Sequence, residues 1–258
     1  MQAKSKIALN TIVLYLKLLI SIACSLISTR WVLEALGSED FGVYNLVAGI
    51  IAMFSFLNSS MSAATQRFLS IAVGKSNPVE VRRVFVYSIY LHLFIALFVL
   101  LLFELGGLYL INNVMVIPTS KYSDALAVLH FMSISSFFTI ISAPYQAAIT
   151  THEALHVYAF TGVLESLCKL LVASILLNYL GNRLVLYAVC MMVISIDSLF
   201  IVWLYCSKTY AECKIEFLKI KEISYFKNIC SYAGWNLMGA LAIMTKSQGV
   251  ALLLNSFF

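Results

Sequence analysis

The sequence predicts an all-α, polytopic membrane protein, and three observations carry that prediction. Hydrophobic residues make up 62% of the 258-residue chain and charged residues only 11%, whereas a soluble domain holds roughly a quarter charged. The mean hydropathy is +0.93, and the apolar residues gather in runs of about 20, the length that crosses ~30 Å of hydrocarbon as a helix. Only three prolines occur, and the alternating ten-residue pattern of a membrane β-barrel is missing.

The first span, 7–28, carries one charge, Lys17, near its middle. An ammonium group at that depth costs roughly 2.5–3.5 kcal/mol or more, so it should face a protein interior or a wet cavity. The basic pair Lys4 and Lys6 precedes the span as it would in a signal peptide. The span is longer than a signal-peptide core, however, and no small-residue cleavage site follows, so it reads as an uncleaved signal-anchor. Span two, 41–64, is uncharged and ends in the small, polar run 58–65, suited to close helix approach.

A basic loop follows, with Arg67, Lys75, Arg82 and Arg83 around the turn signal Ser76-Asn77-Pro78. Span three, 84–110, holds His92 and Glu104, and a loop over 111–124 leads to span four, 125–150, where Pro144 should kink the helix. Span five, 157–180, carries Glu165 and Lys169, and span six, 184–206, carries Asp197. Over 207–229 lysines and glutamates alternate with apolar residues, which fits an amphipathic surface helix or a solvated linker about equally. A seventh span begins near Trp235, contains Lys246 and Gln248, and is still apolar at Phe258, so the chain is expected to be half of something longer.

Lysines and arginines between the spans set orientation. With the N-terminus cytoplasmic, the inner segments hold Lys4, Lys6, Arg67, Lys75, Arg82, Arg83, Lys208, Lys214, Lys219, Lys221 and Lys227, and the outer ones only Arg30, Lys121 and Arg183. The net charge of +5 is thereby a topology signal, and no nucleic-acid partner is expected. The six cysteines form no CxxC pair or Cys/His cluster, so neither metal nor cofactor is expected. No HExxH, Walker or GxSxG motif is present, and the chain does not read as an enzyme.

Lys17, Lys169 and Lys246 lie at similar depth by residue count and suggest a shared cationic cavity. Glu165 and Lys169, four residues apart, share a helix face in the order that favours a salt bridge. Asp197 is expected to pair with Lys17 or Lys169, or else to act as a protonatable carboxylate in a coupling step. His92 and His130 stand alone on apolar helices and read as packing residues.

Several stretches together carry a resemblance: Asn10-Thr11, Leu14-Tyr15, Ser28-Thr29-Arg30, the run 36–45 with Leu36-Gly37, Asp40-Phe41-Gly42 and Tyr44-Asn45, the run 53–58, Ala64-Thr65-Gln66-Arg67-Phe68, Ala143-Pro144-Tyr145, Ala233-Gly234-Trp235-Asn236-Leu237 and Gln248-Gly249. The chain resembles the Wzx-like, lipid-linked oligosaccharide flippase branch of the multidrug/oligosaccharidyl-lipid/polysaccharide (MOP) exporter superfamily.

The resemblance implies two six-helix lobes around a central cavity, of which this chain would supply residues 1–206 as the first lobe, 207–229 as a cytoplasmic amphipathic connection, and 230–258 as the first helix of an incomplete second lobe. It implies an inner-membrane transporter of undecaprenyl-pyrophosphate-linked glycan for surface polysaccharide (lipopolysaccharide O-antigen or capsule), inactive as a half. Lys17, Lys169 and Lys246 would hold the pyrophosphate, and Asn10, Asn236 and Gln248 would add polar groups to the cavity. Expected partners are the lipid-linked substrate, membrane lipid, a second lobe and polysaccharide assembly proteins. The alternatives are a MATE-type small-molecule antiporter, which should prefer acidic cavity residues, and a non-transporting fragment.

Overall fold

The computed structural model describes residues 2–52, 55–115, 117–214, 227–232, 234–239 and 242. Among them every regular element is helical: α1 Gln2–Ala52, α2 Ser55–Gly74, α3 Pro78–Leu102, a π-turn over Phe103–Gly107, α4 Leu108–Asn113, α5 Tyr122–Thr151, α6 Leu155–Asn178 and α7 Arg183–Thr209. A continuous α1 would be about 75 Å long, far beyond a bilayer. It is broken at Gly37, where φ 74° and ψ 174° occupy a region closed to other residues. Limb 2–36 therefore climbs one way and limb 38–52 returns with α2, so α1 to α7 make six crossings.

Contacts at the two ends of the bundle establish this path. At one end Asp40, just past the kink, meets Lys121 at 2.6 Å, Arg183 Nη1 donates to Ala35 O at 2.8 Å, and Asn182 Nδ2 donates to Asp124 Oδ1 at 2.7 Å. At the other end Ser70 lies 3.3 Å from Thr151, and His152 Nε2 lies 2.6 Å from Glu212 Oε1. Asparagine caps begin two spans: Asn77 accepts from Glu80 N ahead of Pro78, and Asn182 accepts from Val185 N.

Span two proves longer than its uncharged core suggests. Arg67, expected in a loop, sits on α2 with its guanidinium 4.2 Å from the Tyr232 ring. Phe68 meets the same ring edge-on at 5.8 Å. Ile229, fully buried, joins Tyr87, Leu91, Val99, Phe103 and Ile140, so the described part of 227–239 packs against the α2–α3 side of the lobe. The connecting segment is described over 207–214 and 227–229, and most of the seventh span, with Lys246 and Gln248, lies outside the described residues.

Limb 2–36 packs chiefly along α6, and α7 packs chiefly along α5. The α1–α6 pair runs parallel: Lys17 lies against Gly162, Ser21 against Ser166 and Ser28 against the Lys169 carbonyl. That register sets the height of each polar group in the membrane.

Candidate functional site

The polar face of the lobe is built from a stripe on α5, where Ser135, Thr139, Ser142 and Gln146 recur every three or four residues and so line one side of the helix. Facing them are Glu165 and Lys169 of α6 and Ser195 and Ser198 of α7, around a hollow of about 330 Å3 that Tyr44 also lines. A second hollow of about 310 Å3 lies between α1, α6 and α7, lined by Ser21, Ser25, Ser28, Thr29 and Ser166, with Lys169 and Met191 shared with the first. A third, of about 90 Å3, holds Lys17 with Tyr158, Thr161 and Gly162, and shares Gln146, Glu165 and Ser198 with the first. The three form one band of hydroxyl and amide groups across α1, α5, α6 and α7.

Lys17 occupies a defined seat. Its ammonium lies 4.0 Å above the Tyr158 ring, a cation–π contact worth about 0.5–2 kcal/mol according to its desolvation. Its methylene stem crosses Gly162, where a Cβ would fall 2.3 Å from Lys17 Cε. No carboxylate lies within ion-pair distance of it among the described residues. The side chain leans toward the end of the lobe that carries His152, the behaviour of a lysine reaching for water.

Lys169 Nζ bonds Glu165 Oε1 at 2.6 Å, with the two side chains 42% and 39% exposed. The pair forms as the four-residue spacing predicts. Lys17 and Lys169 are not at one depth, however: Lys17 stands level with Gly162, and seven residues of α6 separate that level from Lys169, about 10 Å. Among the described residues the expected cluster is thus a cation seated on a ring and, about two turns away, a neutralised couple; Lys246 lies outside them.

Asp197 differs from expectation. It is exposed on α7 and pairs with neither Lys17 nor Lys169, because the helix rotation that aims Ser195 and Ser198 into the hollow leaves residue 197 on the flank. Asn10 is half-buried and lines none of the described hollows. Asn236 hydrogen-bonds Tyr232 beside Arg67. His92 is a packing residue, its Nδ1 2.8 Å from Ser88 O and its ring 1% exposed. His130 is not alone: its Nδ1 lies 2.6 Å from Glu104 Oε2.

Sequence reasoning missed Tyr158, Gly162, Ser166 and the α5 stripe. The three-and-four spacing of Ser135, Thr139, Ser142 and Gln146 was the available signal, a polar face on an otherwise apolar span.

Helices long and apolar enough to cross a membrane, carrying a half-exposed polar band across four of them, define a polytopic membrane protein with a hydrophilic surface at membrane depth. The MatE family model matches residues 14–180, and the chain belongs to that family, one of membrane transporters. It is 26% identical over 162 residues to "Uncharacterized membrane protein EpsK" of Bacillus subtilis (strain 168), a match spanning 62% of this chain and 31% of the relative.

Two solved structures share the fold. One is an outward-facing multidrug resistance MATE family transporter of the MOP superfamily (TM-score 0.77, 16% identity, 92% of this chain and 53% of that one). The other is a MATE protein in complex with MaD3S (TM-score 0.78, 16% identity, 92% and 54%). The chain thus spans about half the length of these structures and under a third of EpsK.

Proposed function

We propose that the chain forms the first lobe of a MATE-type exporter that carries a small molecule across the cytoplasmic membrane, driven by an ion gradient. The observation that carries this reading is the charge balance of the band. Within it Glu165 and Lys169 neutralise each other at 2.6 Å, Lys17 is the remaining charge, and hydroxyl and amide groups stand beside the apolar side chains of Met132, Met191, Ile194 and Val202. Such a surface, partly apolar, takes up an amphipathic small molecule, and Glu165 is the carboxylate it offers to a cation. Glu165 can receive a cationic substrate by exchanging its lysine partner. The likeness to a multidrug resistance MATE transporter supports the same direction. Alternating access requires a facing surface, so transport calls for a second lobe, on this polypeptide or on another. The division at 206 and 229, the cytoplasmic N-terminus and the inner-membrane location are part of the proposal.

A second reading, export of a lipid-linked oligosaccharide for surface polysaccharide, is favoured by one observation: Lys17 makes no ion pair among the described residues, the Glu165 carboxylate that lines the same hollow being bonded to Lys169, so an anionic headgroup could serve as its partner. A lysine binds phosphate as a point charge, and the described residues give the pyrophosphate one free cation. Lys246, outside the described residues, would be the second under that reading.

Binding to the chain in lipid nanodiscs discriminates the two. A fluorescent lipophilic cation such as ethidium should bind saturably and lose affinity about tenfold in Glu165→Gln, the effect of one charge-assisted contact. Saturable binding of polyprenyl pyrophosphate that depends on Lys17, with no binding of ethidium, would select the oligosaccharide reading. Binding of neither ligand would sink both.

A further inference from the structure

Away from the polar band, α3 and α5 carry a second constellation that the transport reading does not use. Glu104 lies in the π-turn Phe103–Gly107, its Oε2 2.6 Å from His130 Nδ1 and its Oε1 2.5 Å from Ser133 Oγ. Three features build it. The π-turn adds a residue to the helix and re-aims Glu104, a use of π-bulges found often at functional sites. Gly107 lets the turn close on α5, since a Cβ there would sit 2.6 Å from Leu129 Cδ1. Ser133 is fully buried and holds the carboxylate from behind.

The couple opens outward. The side chains of His130 and Glu104 are 47% and 27% exposed, among Leu97, Phe98, Leu101 and Leu105, which are 47–71% exposed. His130 and Ser133 belong to the side of α5 away from the stripe that lines the hollow. This is a membrane-facing seam rather than a cavity wall. Helix α5 is about 45 Å long and overhangs the ~30 Å hydrocarbon layer at both ends, which puts His130, eight residues from Tyr122, only about 5 Å below the hydrocarbon edge. A carboxylate at that level is costly and marks function by default.

We infer that Glu104, His130 and Ser133 form a binding site for the primary-ammonium headgroup of a phospholipid in the leaflet next to Asn113 and Tyr122. With Nδ1–H donating to Glu104, His130 Nε2 is an acceptor on a half-exposed ring. Glu104 supplies the negative charge and further lone pairs. A primary ammonium brings the opposite charge and three N–H donors, and the leucines and Phe98 line the path of its acyl chains. A quaternary ammonium has no N–H to give, and an anionic headgroup is repelled.

The test uses the chain in nanodiscs and native mass spectrometry of the lipid it retains. From a mixture of phosphatidylethanolamine, phosphatidylcholine and phosphatidylglycerol, the wild-type chain should retain phosphatidylethanolamine preferentially. Glu104→Gln should reduce that preference about tenfold. His130→Gln, at a half-exposed position where the amide still donates to Glu104, should fold normally and reduce it about threefold, having lost the outer acceptor. Retention that is equal for the three lipids, or unchanged in both variants, overturns the site. Displacement of the lipid by millimolar free ethanolamine would show a soluble amine as the ligand and overturn the lipid assignment.

Discussion

Gly162→Ala separates the seat of Lys17 from the stability of the fold. The new methyl carbon would lie 2.3 Å from Lys17 Cε, 3.1 Å from Nζ and 3.5 Å from Cδ. Non-bonded carbons rest at about 3.5–4.0 Å, so the stem must retreat by more than 1 Å. The displaced atoms are the far end of a flexible side chain, so the backbones of α1 and α6 can stay where they are. The lost cation–π contact with Tyr158 costs about 0.5–2 kcal/mol, and alanine for glycine inside a helix returns about 1 kcal/mol.

Net stability should therefore change by no more than about 1 kcal/mol, which moves the melting temperature by about 4 °C or less. The ammonium, in contrast, is expelled toward solvent. Amine acylation of Lys17, followed by peptide mass spectrometry in nanodiscs, should run several-fold faster in Gly162→Ala than in wild type. An unchanged acylation rate with unchanged melting would refute the seat. A large fall in melting temperature would refute the claim that only the side chain yields.

Other outcomes follow from the same contacts. Lys169→Ala should destabilise the chain by about 1 kcal/mol, the figure for a buried pair reduced for the partial exposure of this one, and adding Glu165→Gln should recover most of it in a double-mutant cycle by chemical denaturation. Gly37→Ala should cost about 1–3 kcal/mol, because φ 74°, ψ 174° is open essentially to glycine alone; equal stability would mean that the reversal is made elsewhere. Cys213, beyond α7, has its thiol raised above the ordinary value of 9.0 by its hydrogen bond with Cys206, by burial and by the Glu212 charge. The folded chain keeps that proton after the unfolded chain has lost it, so stability is intact below about pH 9 and falls above it. Cys213→Ala should flatten this alkaline limb in a melting-temperature profile; an unchanged limb would remove the thiol as its cause.

The hydrophobic lengths that cross a bilayer, the turn at Ser76-Asn77-Pro78, and the Glu165–Lys169 couple were legible because each depends on residues near one another in the chain. A helix in lipid satisfies its backbone internally, so a run of apolar residues almost dictates the element. The i,i+4 spacing likewise places two side chains on one face before any tertiary contact forms. The family resemblance drew on the same local information, in the runs around Gly37 and Arg67.

Which helices become neighbours, and how each is rotated about its axis, only the tertiary structure decided. Lys17 has no polar side chain three or four residues ahead except Ser21; its partner, the Tyr158 ring, arrives from a helix more than a hundred residues away. The same rotation that brings Ser195 and Ser198 into the hollow leaves Asp197 outside it, and a π-turn with a glycine-sized gap delivers Glu104 to His130. A shift of one residue turns a helical side chain by about 100°, so residue type and depth can be read from the letters while partnership waits on packing.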